Sequence, residues 1–298
     1  MKSLKNKILF NKYKKYISNG TIPSMTCENE LAFLRYYAEN KYTGIGEIVD
    51  LGCWFGATTF ALAQGLNKNS FIDKKYKRIF AYDLFKWEDS LNQHVKNTGF
   101  ENRYNHGDSY IELVKQNIEP LEQHIEIQGD IFDAIWGHKP IEFLFIDAMK
   151  NIETTNKIVS EFYPNLIPNT SYLVYQDFDH YLTPWIHVLI YMQRKHFKHI
   201  HDIYPSGSTV FKLKHKLPND LIYINFREVD DITIDSAFKY SQNLAIRFKH
   251  SNIAAAHIKT YIFKGDIAKA QYWLKYYLNR NYSTNFDLGK IKKELEAL

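Results

Sequence analysis

The stretch from Gly46 to Leu66, GEIVDLGCWFGATTFALAQGL, constrains this chain more than any other. Glu47 to Leu51 is short and β-branched at its centre, as a buried strand is. Gly52 and Gly56 bracket a tight turn, Ala57 to Gln64 is rich in helix formers, and Gly65 stands where a helix ends. A strand that runs through a glycine turn into a helix aims backbone N–H groups at whatever binds there. Asp50 closes the strand and offers its carboxylate to a ligand amine or hydroxyl. The unit predicts a nucleotide-type cofactor site.

The rest of the chain narrows the classes. A length of 298 residues allows one large domain, or one domain with an extension. Hydrophobic content of 45% and aromatic content of 16% supply enough core to exclude disorder. The net charge of +5 permits contact with acidic groups but does not require nucleic acid. Lys2, Lys5, Lys7, Lys12, Lys14 and Lys15 all precede the first acid, Glu28. They read as a surface for anionic lipid or nucleic acid, or as the solvated face of a helix whose Leu4, Ile8, Phe10 and Ile17 pack inward; the second is preferred. Cys27 and Cys53 are too few for a disulfide framework or a cysteine zinc site and suit a reducing cytoplasm. The apolar run TPWIHVLIYM is too short to cross a bilayer, and the start shows no secretion signal.

Taken in order, residues 1–20 read as a basic helix ended by Asn19 and Gly20, and Thr26 as the cap of a second helix. Strands follow at Glu47–Leu51, Ile79–Tyr82, His124–Ile127, Ile141–Ile146 and Tyr172–Tyr175, with helices between them, one of them Glu153–Phe162. Thr183 and Pro184 read as the cap and first residue of another helix. His199–Ile203 and Thr209–Leu213 flank PSGS as a hairpin. This alternation predicts an α/β fold: a Rossmann-like, mainly parallel seven-stranded sheet with helices on both faces, plus a C-terminal helical extension. The expected division is a lead-in over 1–45, a cofactor-binding domain over 46–216 and the extension over 217–298. Helices are expected at Asp235–Phe248, Asn252–Phe263 and Ile267–Leu278, the last two resembling one tetratricopeptide hairpin.

Acids close all five of the parallel-type strands: Asp50, Asp83, Asp130 (after Gly129), Asp147 and Asp177. Any one of them is equally a turn former, but ligands of open parallel sheets bind at these ends. A dinucleotide fingerprint needs a glycine between Gly52 and Gly56, where this chain has Trp54, too bulky for a pyrophosphate to approach. S-adenosylmethionine carries no phosphate and is preferred. Gly52 to Gly56 are expected to hold its methionine end, Asp83 its ribose hydroxyls and Asp130 its adenine amino group.

DLGCWFGATT, AYDLFKWED, FIDAMKNIETT and FYPNLIPNTSYLVYQDF resemble a class I methyltransferase, and more narrowly the macrocin O-methyltransferase family, across about residues 46–215. The tryptophan of the first turn is part of that family's pattern. The resemblance implies methylation of a hydroxyl on a sugar, glycan or other small acceptor, with carboxylates holding magnesium at that hydroxyl. Two of the family's acid positions are changed here, to Met149 and Gln176, which leaves Asp147, Gln176 and Asp177 as the candidate magnesium ligands.

An acceptor alcohol needs a base or a metal. Asp147 is the first candidate for the base, followed by Asp177 and His180, with Asp179 placed to orient His180 or cap the loop. Trp54, Trp87, Trp136, Tyr181 and Trp185 are the candidate aromatic walls for an acceptor. The partners expected are a small hydroxylated acceptor, no nucleic acid, and a homo-oligomer through the extension. The rival readings are a cofactor-binding interaction protein without catalysis and a nucleic-acid methyltransferase. IDAMK lacks the Asn/Asp-Pro-Pro-aromatic motif of amino-methylating enzymes.

Overall fold

The structure, a computed structural model, describes the backbone of residues 2–18 and 22–298 and the side chains of residues 7–18 and 22–298. Its strands are β1 (Glu47–Leu51), β2 (Ile79–Tyr82), β3 (Ile125–Ile127), β4 (Ile141–Ile146), β5 (Tyr172–Tyr175), β6 (Phe197–Asp202) and β7 (Thr209–Leu213). Its helices are α1 (Lys2–Tyr13), α2 (Glu28–Asn40), α3 (Ala57–Lys68), α4 (Ile111–Ile118), α5 (Ile152–Phe162), α6 (Trp185–Met192), α7 (Asp231–Leu244), α8 (His250–Phe263), α9 (Ile267–Leu278) and α10 (Asp287–Glu296). Among the described residues the strands form one seven-stranded sheet in the order β3-β2-β1-β4-β5-β7-β6. The first five run parallel, and β7 enters antiparallel between β5 and β6. The α/β expectation holds, including the hairpin.

Both faces are covered, which explains why the central strands are nearly all apolar. Alternate residues of each strand serve opposite cores. Val49, Leu51, Leu144, Ile146, Leu173 and Tyr175 face α5 and α6. Ile48, Phe143, Phe145 and Val174 face α2 and α3. The core of the first face runs without a break into α7 to α10 through Phe238, Ile253, Tyr261, Tyr277 and Leu288. The extension is thus packed on the sheet's own core. No helix of the described residues is long and apolar enough to cross a membrane.

Several local expectations need correction. The second helix starts one residue later than expected: Cys27 is its cap position, and the buried Glu30 carboxylate accepts the Cys27 N–H at 2.9 Å. Thr183 does not cap α6. Its hydroxyl donates to the Asp177 and His180 carbonyls instead, at 3.1 Å each, bracing the loop after β5. In the lead-in Ile8 and Ile17 are exposed, while Phe10 packs inward as expected, beside the fully enclosed Tyr13, which also contacts Phe33. The expected end at Asn19 and Gly20 and the side chains of Lys2, Leu4 and Lys5 lie outside the described residues. The helix expected at Asp235–Phe248 starts earlier, because the Asp230 carboxylate accepts the Thr233 N–H and caps it. α10 was not expected at all, since DLGKIKKELE is mostly charged and buries only Asp287, Leu288, Ile291 and Leu295.

Candidate active site

The strand order reverses between β1 and β4, so their carboxyl ends flank the crevice where ligands of such sheets bind. Gly52 stands there with φ +88°, and an added Cβ would lie 2.7 Å from the Asp147 carbonyl oxygen. Only glycine fits a backbone that is both left-handed and this close to its neighbour. Trp54 also takes a positive φ, 45°, and its backbone N–H donates to Asp83 Oδ2 at 2.9 Å. Gly56, at φ +88°, opens α3. The turn is fixed from below by Gly52 N–H on the Tyr82 carbonyl, 2.8 Å.

Asp50 is enclosed. It points to the α3 face of β1, where the Thr58 and Thr59 hydroxyls donate to its Oδ2 at 2.8 and 2.6 Å. Burial pushes its carboxyl up to about 6, against those two hydroxyls. Asp50 therefore braces the turn from within through Oδ2, while its buried Oδ1 meets no donor among the described residues. Asp83 is more open. It binds the Trp54 N–H, the Phe85 N–H at 3.0 Å and the Tyr110 hydroxyl at 2.7 Å, joining the ends of β1 and β2 to the loop before α4. Tyr110 was missed in the sequence, where a tyrosine in GDSYIE carries no distinguishing signal. Gly129 is exposed with open space around its Cα, and Asp130 caps the next turn through the Phe132 N–H at 3.0 Å.

The structure brings Asp147 and Asp177 together around a residue the sequence reading passed over. The Lys150 ammonium binds Asp147 Oδ1 at 2.6 Å and also Asp177 Oδ2. Burial raises the Asp147 carboxyl to about 7; the Lys150 charge opposes the rise and the Asp177 charge adds to it. Burial opposes the Lys150 charge, yet the two carboxylates prevail and hold its pKa above the ordinary value. Gln176 Oε1 is buried and meets no donor among the described residues.

These residues do not fit magnesium as they stand. The donors are two carboxylates and one amide oxygen, and the ammonium already sits on both carboxylates. Among the described residues no group of three or more His, Cys, Asp or Glu could hold a metal. Two unit charges about 4 Å apart at an effective dielectric near 20 interact by ~4 kcal/mol, so an added dication would meet strong repulsion from the ammonium.

His180 is not part of this cluster. Its Nδ1 accepts the Leu182 N–H at 3.4 Å. Asp179 does not orient it; Asp179 is buried and accepts from Asn252 of α8 at 3.2 Å. The aromatic candidates divide. Trp87 is 1% exposed and packs on Phe55, Tyr104 and Tyr110, and Trp136 packs on Phe80 and Phe162, so both are core and cannot wall an acceptor site. Trp54 stacks on Phe55 at 4.2 Å, and its buried indole N–H has no acceptor among the described residues. Trp185 donates its indole N–H to the Met149 carbonyl at 2.9 Å. It lines a cavity of about 530 Å3 with Asn151, Glu153, Phe226, Arg227 and Phe263, next to the Asp147–Lys150 loop. Tyr181 is half-buried under the Lys290 ammonium. Another cavity, about 660 Å3, lies by Tyr16, Arg35, Gln64 and Lys68, at the end of α3 remote from the strand-end acids.

No protein-family model matches the chain, and no curated protein sequence matches it. Solved structures do. The O-methyltransferase NovP aligns over 72% of this chain and all of its own length, with 13% identity and a TM-score of 0.50. CalS11, a TDP-rhamnose 3'-O-methyltransferase of calicheamicin biosynthesis, aligns over 69% of this chain and 93% of its own at 13% identity and a TM-score of 0.46. The sheet order, the glycine turn at its reversal and the NovP alignment agree: the chain has the Rossmann-like fold of the class I methyltransferases, carrying a C-terminal helical extension.

Proposed function

We propose that the protein is an S-adenosylmethionine-dependent O-methyltransferase acting on a hydroxyl of a small, sugar-like acceptor. The observation that carries this reading is the turn from Gly52 to Gly56 at the sheet's reversal, beside the unpartnered indole N–H of Trp54. The chemistry of that turn fits a ligand with an amino-acid end: a buried donor without an acceptor is costly unless a ligand anion completes it. Gly52, Trp54 and Gly56 would hold that end. Asp83, partly exposed and already fixed in place, would meet the ribose hydroxyls, and Gly129–Asp130 the adenine. When bound, the cofactor supplies a methyl group already activated on a sulfonium.

The chain's own task is then to place the acceptor hydroxyl and receive its proton. Asp147 stands at the end of the central strand, and a carboxyl near 7 is matched to proton uptake at neutral pH. Asp177 shares its counter-charge. The cavity bounded by Trp185, Phe226 and Phe263 gives the acceptor an aromatic wall beside this loop. NovP and CalS11 are O-methyltransferases on this fold, which favours the same reaction class. A cytoplasmic setting and a homo-oligomer through the extension belong to the same proposal. Calorimetry with S-adenosylhomocysteine is the test: binding weakened by Trp54→Phe supports the reading, and absence of binding ends it.

A further inference from the structure

We infer that the cation of this site is part of the chain: the Lys150 ammonium stands between Asp147 and Asp177 in place of a divalent metal and faces the acceptor oxygen itself. The inference rests on the methyltransferase reading for the identity of that oxygen, but not for the geometry.

Three observations carry it. The ammonium touches both carboxylates that end neighbouring strands β4 and β5, so it occupies the position where a bridging metal would have to sit. Asp147 and Asp177 face no second cation that would release it, since each forms its only ion pair with Lys150 among the described residues. The Lys150 side chain is 55% exposed, so the ammonium that pairs with the two carboxylates is carried at the edge of the site rather than sealed in the core. An ammonium is a compact point charge with three donors; two serve the carboxylates and one is left for an incoming lone pair. A magnesium ion would need several oxygen ligands in octahedral array, and Met149, on the loop that delivers Lys150, offers none from its side chain.

The experiment is a Mn2+ titration of the full-length protein, read by the loss of the free-ion electron paramagnetic resonance signal. The wild type is expected to show no saturable site. Lys150→Ala is expected to gain one site per chain, Lys150→Arg to gain none because it keeps the charge, and Lys150→Ala combined with Asp147→Asn to lose the gained site. Lys150→Met serves in the same role if the alanine variant melts early. A saturable wild-type site abolished by Asp147→Asn would overturn the inference, as would failure of both Lys150→Ala and Lys150→Met to gain one. S-adenosylhomocysteine binding, measured on the same samples by calorimetry, separates the two readings. Its absence with Mn2+ still excluded would remove the proposed function and leave the ammonium's position standing.

Discussion

The Lys249 ammonium, just before α8, reaches into the sheet and lies 3.1 Å from Asp202 Oδ1 on β6, with both side chains fully enclosed. It also donates to the Gly207 carbonyl at 2.9 Å, the Ser208 carbonyl at 2.6 Å and Thr209 Oγ1 at 2.8 Å. Asp202 in turn accepts from Thr209 at 2.7 Å and from the Ile246 N–H at 3.1 Å. Although burial alone would raise it, the Asp202 carboxyl is held far below the usual range by Lys249 and by its hydrogen bonds.

Removing one partner of such a pair leaves a buried charge uncompensated, at a cost of ~3–5 kcal/mol. Lys249→Met is therefore expected to lower the unfolding free energy by about that much in urea titrations. Lys249→Met with Asp202→Asn should recover a good part of the loss. A double variant no more stable than the single one would show that the charge is not the cause.

Gly52→Ala is expected to cost stability twice over. The left-handed backbone penalises any side chain by ~1–2 kcal/mol. The new Cβ would also meet the Asp147 carbonyl oxygen at 2.7 Å. Thermal melts should fall by several degrees, and S-adenosylhomocysteine affinity should fall with them. A control at Gly107, also at positive φ but with open space for a Cβ, should show the backbone cost alone.

Asp83→Ala strips acceptors from the Trp54 N–H, the Phe85 N–H and the Tyr110 hydroxyl. Each lost partner in a part-buried setting is worth ~1–3 kcal/mol. Cofactor affinity is expected to drop by more than tenfold, with Asp83→Asn intermediate because one oxygen remains. Equal affinities for wild type and Asp83→Ala, measured by calorimetry, would remove Asp83 from the site.

His187 gives a pH dependence with a defined sign. It is enclosed on α6, and its Nδ1 faces Ser241 Oγ at 2.9 Å. Burial, with His257 nearby, lowers its pKa from 6.5 to about 3. The folded chain keeps it neutral while the unfolded chain protonates it below 6.5. Its contribution is thus whole above pH 6.5 and lost as pH falls toward 3, at ~1.4 kcal/mol per unit. The buried carboxyls of Asp50 and Asp179, both raised to about 6, act in the opposite sense in the same range. The comparison is therefore between wild type and His187→Gln. The variant should lose less stability between pH 7 and 5, and parallel curves would contradict the assignment.

Much of the fold was legible because its signals are local. β1, its glycine turn and α3 follow one another within GEIVDLGCWFGATTFALAQGL, and the bounds of α9, Ile267–Leu278, coincide with the expected ones. What stayed hidden is made by contacts between distant positions. Lys150 finds Asp177 27 residues away, and neither AMK nor QDF marks the pair. Trp87 and Trp136 sit near strand ends in sequence, yet neighbouring aromatic rings enclose them, and only packing decides that. The partners of Asp50 were hidden for a related reason: strand alternation turns it to the α3 face, where two threonines in the first turn of the helix donate to it.

The near-contact of Gly52 with the Asp147 backbone has a consequence for how such a chain can change. The two segments, one proposed to hold the cofactor and one proposed to handle a proton, are too close to admit a methyl group between them. A side chain added at Gly52 must displace the Asp147 backbone, so on the proposed reading changes at the two segments are coupled at this junction. Diversification is left to the parts that do not share it, above all the extension after residue 216, whose Phe226 and Arg227, in the turn before α7, and Phe263 of α8 already border the cavity beside the loop.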